Sequence, residues 1–132
     1  MKTKAKITMF LALAMLTALS LSAQKLEDMA GTWVGTATLE GEAEPNELTL
    51  VLELQEGKLT GKMTDQYGSM NETQAEDISL EQGVFRFSVT VQVPDGTFKL
   101  EFKMKVSGDS MEGELVVRDM GMTGAWEATK QK

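Results

Sequence analysis

From residue 31 to the end of the chain, apolar and polar side chains alternate with a period of two, broken at short intervals by glycine, proline, asparagine and aspartate. That period belongs to antiparallel strands with one buried and one wet face. It predicts eight strands. Residues 32–40 turn Trp33, Gly35, Ala37 and Leu39 to one side, and residues 47–55 do the same with Leu48, Leu50, Leu52 and Leu54. Residues 58–65 bury Leu59, Gly61 and Met63, whereas residues 75–81 offer only Ile78 and Leu80. The clearest hairpin sets Phe85, Phe87, Val89, Val91 and Val93 against Phe98, Leu100, Phe102, Met104 and Val106 across a Pro94-Asp95-Gly96 turn. The last two strands bury Met111, Gly113, Leu115 and Val117, then Met122, Gly124, Trp126 and Ala128.

Helical signals are confined to one turn at residues 25–29, so no amphipathic helix exists to cover a flat sheet. One-faced strands must then close on themselves or form two packed sheets. Short consecutive turns favour an all-β, eight-stranded antiparallel up-and-down barrel, which leaves no exposed edges; a two-sheet β-sandwich is the alternative. In such a barrel the turns Glu56-Gly57, Gln82-Gly83 and Gly108-Asp109 share one end, the floor, with both termini of the domain. The longer connections, residues 41–46 and 66–74 among them, gather at the other end, the mouth, where binding sites usually lie. The two tryptophans sit in Gly-x-Trp triplets at opposite ends of the domain. Folding brings their strands together, so Trp33 and Trp126, with Gly31 and Gly124, read as a closure clasp near the floor.

What precedes the barrel has a different character. Met1-Lys2-Thr3-Lys4-Ala5-Lys6 is a basic leader, residues 7–21 are an apolar run too short to span a bilayer comfortably, and Ser20-Leu21-Ser22-Ala23 supplies small residues. Residues 1–23 therefore read as a cleaved signal peptide and residues 24–132 as a single domain, exported to the periplasm or beyond, with no membrane insertion after cleavage. The whole chain carries 13 basic and 20 acidic residues, and loss of Lys2, Lys4 and Lys6 leaves a net charge of −10. That balance excludes nucleic acid as a partner. The chain has no cysteine, so neither a disulfide nor a lipidated terminal cysteine is available.

A short helical turn running into Gly31-Thr32-Trp33 on the first strand, followed by an antiparallel meander, resembles the lipocalin or calycin group, in particular small bacterial secreted domains of that kind. The resemblance implies that Trp33 packs at the closed end of the barrel. Lipocalins also carry a helix after the barrel and a basic residue near the last strand that covers the tryptophan; here the chain ends at the barrel and Arg118 is expected to point outward. Thr64-Asp65-x-Tyr67 is similar to a second lipocalin motif but follows a different strand. Gly31-Thr32-Trp33 with Gly57-Lys58-Leu59-Thr60-Gly61 is also similar to the opening strands of avidins, without the aromatics and lumen hydrogen-bonding groups that biotin requires.

The absence of histidine and cysteine removes the commonest general base, nucleophile and transition-metal ligands, so the protein is not expected to be an enzyme or to hold a cofactor. Carboxylates on strands fall in the outward phase, except Glu76, which is in phase with Ile78. The acidic cluster Glu40, Glu42, Glu44 and Glu47 lacks the residue alternation of a calcium loop and reads as solubilising charge. The expected inward residues contain no polar side chain. Met63, Met104, Met111 and Met122 point inward, where a thioether suits either an adaptable cavity or a filled core. The expectation is an exported, non-catalytic lipocalin-like monomer that binds a small apolar molecule at its mouth through Leu39, Leu48, Met63, Tyr67, Val93, Phe98, Val117 and Met122. Orientation would come from rim groups such as Tyr67 or Asn71. The alternative is a solid-core module that binds another exported protein or a glycan through its long loops.

Overall fold

Tight turns set the registers at one end of the molecule. In the computed structural model, which describes residues 25–42 and 44–132, β1 (Gly31–Leu39), β2 (Asn46–Gln55), β3 (Lys58–Asp65), β4 (Thr73–Glu81), β5 (Val84–Val93), β6 (Gly96–Ser107), β7 (Ser110–Val117) and β8 (Met122–Lys130) follow one another. The β2–β3, β4–β5 and β6–β7 connections are two-residue turns, with left-handed backbone at Glu56 and Gln82, φ 52° and 51°. Such turns match the right-handed twist of the strands they join. The signal peptide expected over residues 1–23 lies outside the described residues.

Each strand pairs antiparallel with its chain neighbours, and β8 pairs back onto β1, so the sheet is a closed up-and-down barrel rather than a sandwich. The closing seam runs from Trp33 opposite Lys130 to Leu39 opposite Gly124. It depends on two residues without side chains. A Cβ at Gly35 would collide with the carbonyl oxygen of Glu127, and one at Gly124 with that of Thr38, so β1 and β8 approach this closely only because neither position carries one.

Period-two burial fills the lower and middle barrel. Leu50, Leu52, Met63, Phe85, Val89 and Met104 are buried, and the Phe87 and Phe102 rings stack 4.4 Å apart at 7° between planes. Trp126 stands edge-on to both rings, 6.5 Å from Phe87 and 5.6 Å from Phe102. Met63, Met104 and Met111 are core residues, and Met122 is a half-buried rim residue.

The two tryptophans lie at different heights. Trp33 is at the floor, its indole N–H donating to the Met29 carbonyl at 2.9 Å, and Met29 is itself buried on the 3-10 turn Leu26–Met29. Trp126 sits at mid-strand, opposite Ala37 on one side and Gly113 on the other. The seam is therefore closed by main-chain pairing and close approach, not by two indoles meeting. Nor is the floor tryptophan uncovered: Lys130 reaches over its ring, Nζ 5.7 Å from the centroid, and donates to the Asp28 carbonyl at 2.6 Å. Arg118 points outward and pairs with Glu101.

Orientations differ from expectation in β4 and at the end of β2. A bulge between Glu76 and Ser79, with Asp77 at φ 53°, shifts the phase within β4. Ala75 before the bulge and Ile78 and Leu80 after it pack inward, while Glu76 is exposed and accepts from Thr90 Oγ at 3.4 Å. Leu54 runs past the floor and is 42 % exposed. β3 and β4 share only the Lys62–Gln74 and Met63–Thr73 pairs, so the wall is thinnest between them.

Candidate functional site

At the mouth the alternation carries the strands beyond the packed rings, and the walls no longer meet. An open cavity of about 350 Å3 lies there, above the aromatic layer, with Ala37, Leu39, Leu48, Leu100, Leu115 and Val117 on its wall. Tyr67, Phe98, Met120 and Met122 stand at its rim, and Tyr67 is 61 % exposed. Of the eight residues expected from sequence, Leu39, Leu48, Tyr67, Phe98, Val117 and Met122 line this space. Met63 lies in the core and Val93 is exposed at the β5–β6 turn, so neither belongs to the lining. Asn71 is exposed and does not line it. Another recess opens on the outer wall, among charged side chains such as Lys103, Lys105, Glu112 and Glu114.

The mouth also holds polar groups that the sequence reading left out. Asp65 ends the inward series Leu59, Gly61, Met63, and Asn46 begins the series Leu48, Leu50, Leu52. Both therefore face the lumen where β2 and β3 reach the mouth. Asp65 is only 5 % exposed. Its Oδ1 accepts the Met70 N–H at 2.8 Å, and its Oδ2 accepts the Ser69 hydroxyl and the Asn46 amide, the latter at 3.4 Å. The Asp65 N–H in turn donates to the Met70 carbonyl at 3.1 Å. These bonds fold residues 66–70 back over the barrel and bury Met70 as part of the cavity wall.

Further bonds hold this rim. Gln66 Oε1 accepts the Glu47 N–H at 2.7 Å and the Gln66 N–H donates to the Glu47 carbonyl at 3.1 Å. Across the mouth, Glu40 receives the Thr123 hydroxyl at 2.7 Å, and Asp119 accepts the Lys99 N–H at 3.3 Å. Period two alone could have found Asn46 and Asp65, since each continues an apolar face by one step. Met70 carried no such signal, because it is placed by a loop folded around a carboxylate.

Burial by itself would raise the Asp65 pKa. The hydrogen bonds from Met70, Ser69, Asn46 and Gly68 outweigh that effect and hold it below the ordinary value of 3.8. A carboxylate with a depressed folded pKa contributes stability that is present above the unfolded value and is lost as pH falls through the folded one. Urea unfolding across the acid range should therefore show an acid limb in the native protein that is weakened in Asp65→Asn. Asp65→Ala should cost about 1 to 3 kcal/mol at neutral pH, because it leaves buried donors without an acceptor. A native-like acid limb in Asp65→Asn would remove this carboxylate from the account.

The fold and its cavity define an eight-stranded antiparallel up-and-down β-barrel with an open, largely apolar mouth, an architecture compatible with a lipocalin-like fold. Comparison with protein-family models, with curated proteins and with solved structures finds no match for the chain.

Proposed function

We propose that the protein is an exported, non-catalytic, lipocalin-like barrel that holds a small, mainly apolar molecule in its mouth. The observation that carries this reading is the cavity of about 350 Å3 above a filled core. Its volume lies at the low end of the range of about 300 to 1,000 Å3 common for small-molecule sites. The rim around it is pinned by specific hydrogen bonds, so the pocket is built before a guest arrives. Lipocalin kinship is supported by the 3-10 turn leading into Gly31-Thr32-Trp33, by Trp33 at the floor and by the Lys130 ammonium over its ring. The filled middle of the barrel favours a second reading, an interaction module working through its loops.

One experiment separates the two. Protein purified from its own host is examined by native mass spectrometry for a co-purified compound and titrated with a fluorescent alkyl probe, alongside Met122→Trp, which fills the cavity from a half-buried position. The ligand reading expects bound compound or probe in the native protein and at least a tenfold weaker probe affinity in Met122→Trp with thermal stability retained. Absence of both compound and probe binding, or probe binding indifferent to the substitution, would sink it.

A further inference from the structure

The shape of the mouth narrows the class of guest, and this step rests on the reading of the cavity as a ligand pocket. Among the described residues, seven of the eight strands line the cavity, yet none brings more than two inward positions to it. Ala37 and Leu39 on β1, Phe98 and Leu100 on β6, and Leu115 and Val117 on β7 show the pattern. Two inward positions span about 7 Å of strand. The space is therefore a bowl, as wide as the bore and shallow along it.

An aromatic layer forms the bottom of the bowl. Phe102 lies one inward step below Leu100 on β6, and its ring stacks on Phe87, 4.4 Å away. Trp126 completes the layer, 5.6 Å from Phe102 and set between Ala37 on β1 and Gly113 on β7. All three side chains are buried, and Leu50, Phe85 and Met104 fill the lumen beneath them. A chain entering the mouth meets this layer and cannot thread down the barrel, because a close-packed interior offers it no void. The closed ladder fixes the walls, so the bowl does not lengthen to suit a longer guest.

Size and shape then act together. At about 30 Å3 for each water-sized group, a cavity of about 350 Å3 accepts roughly ten to twelve non-hydrogen atoms. Decan-1-ol and 1-adamantanol both fall in that range, but the linear molecule is longer than the bowl is deep. It must coil, losing torsional freedom, or leave its tail in water, and a rigid cage of the same carbon number meets neither cost. We infer that the mouth selects a compact, rigid ring system of that size over linear alkyl chains and long-chain lipids, and that the layer of Phe87, Phe102 and Trp126 sets the choice by closing the lumen.

Calorimetric titration of the intact barrel with 1-adamantanol, decan-1-ol, cyclooctanol and octan-1-ol tests this. Each cyclic alcohol should bind about threefold or more tighter than the linear alcohol of the same carbon number, although the linear one is the more hydrophobic. Decan-1-ol should bind within about twofold of octan-1-ol, whereas two further methylenes buried in a deeper tunnel would bring about fifteenfold. Phe102→Leu, with its fold checked by circular dichroism, trims the layer beneath Leu100 and should strengthen decan-1-ol relative to both octan-1-ol and 1-adamantanol. Linear alcohols binding tighter than their cyclic partners, or the full gain from octan-1-ol to decan-1-ol, overturns this inference while the mouth remains a ligand site. An unaltered ranking in folded Phe102→Leu overturns the part given to the aromatic layer, and the native ranking decides the rest without that variant. If none of the four compounds binds, the pocket reading itself falls and takes this one with it.

Discussion

Trp126→Ala should lower the free energy of unfolding by about 3 to 5 kcal/mol, the range for removing a large buried aromatic from a close-packed interior. The side chain is fully buried at mid-barrel and meets Phe87 and Phe102 edge-on, so its loss opens a void inside the ring layer. Aromatic contacts of this geometry add to area burial. The walls cannot collapse to fill the void, because a closed ladder fixes the distance between opposite strands. In a domain of this size the change corresponds to a fall in melting temperature of roughly 12 to 25 °C. Trp126→Phe is the informative partner variant. The indole N–H has no acceptor among the described residues, so phenylalanine gives up volume but also sheds an unpaired donor, and it should cost clearly less than alanine. Urea unfolding of both variants checks this; equal losses would mean that the ring layer is not what the indole supports.

Gly35→Ala is expected to have an effect of similar size for the opposite reason, excess rather than missing volume. A methyl group there meets the Glu127 carbonyl and the Ala128 Cα, both backbone, across the β1–β8 seam. Backbone cannot rotate away as a side chain can, so the strands must part. Overpacking commonly costs about 1 to 3 kcal/mol, and this case should lie at or above the top of that range. Parting the seam also exposes two unpaired edges, so the variant should aggregate on warming. Gly61→Ala is the control. There the nearest neighbour is the end of the Leu52 side chain, at 2.8 Å, which can change rotamer. Chemical denaturation and light scattering should rank native, Gly61→Ala and Gly35→Ala in that order of falling stability. Equal behaviour of the two alanine variants would show that seam closeness is not limiting.

The elements themselves were legible from the alternation because a strand with one buried face writes its period directly into the chain. β3 has the bounds expected from sequence, and β1, β2 and β4 differ from theirs by one or two residues at an end. The Phe85–Val93 and Phe98–Val106 faces oppose each other as expected. β4 was the exception. Its bulge changes phase partway along, so Glu76 follows the expected parity yet faces out. A single extra residue in left-handed backbone leaves little trace in composition.

The mouth shows the same division. Leu39, Leu48 and Val117 were identifiable as lining because they end inward series on strands reaching that side. Asn46 and Asp65 obey the same parity but were passed over by a reading that looked for apolar residues. The place of Met70 depends on hydrogen bonds from a seven-residue connection to one carboxylate, and no periodicity announces it. Lys130 over Trp33 belongs to this group as well, since it required the register between β1 and β8.

By itself, the sequence determined the class of architecture. Period-two patterning without a covering helix leaves eight one-faced strands a closed barrel or two packed sheets, short turns favour the barrel, and the spacing of the turns decides which loops share an end. Tertiary structure alone decided how far up the lumen the core is filled, the heights of the two tryptophans and the polarity of the mouth. Those properties arise from the stagger of strands around a closed ladder and from loops folded onto it. They depend on distances between residues far apart in the chain, to which a local pattern is blind.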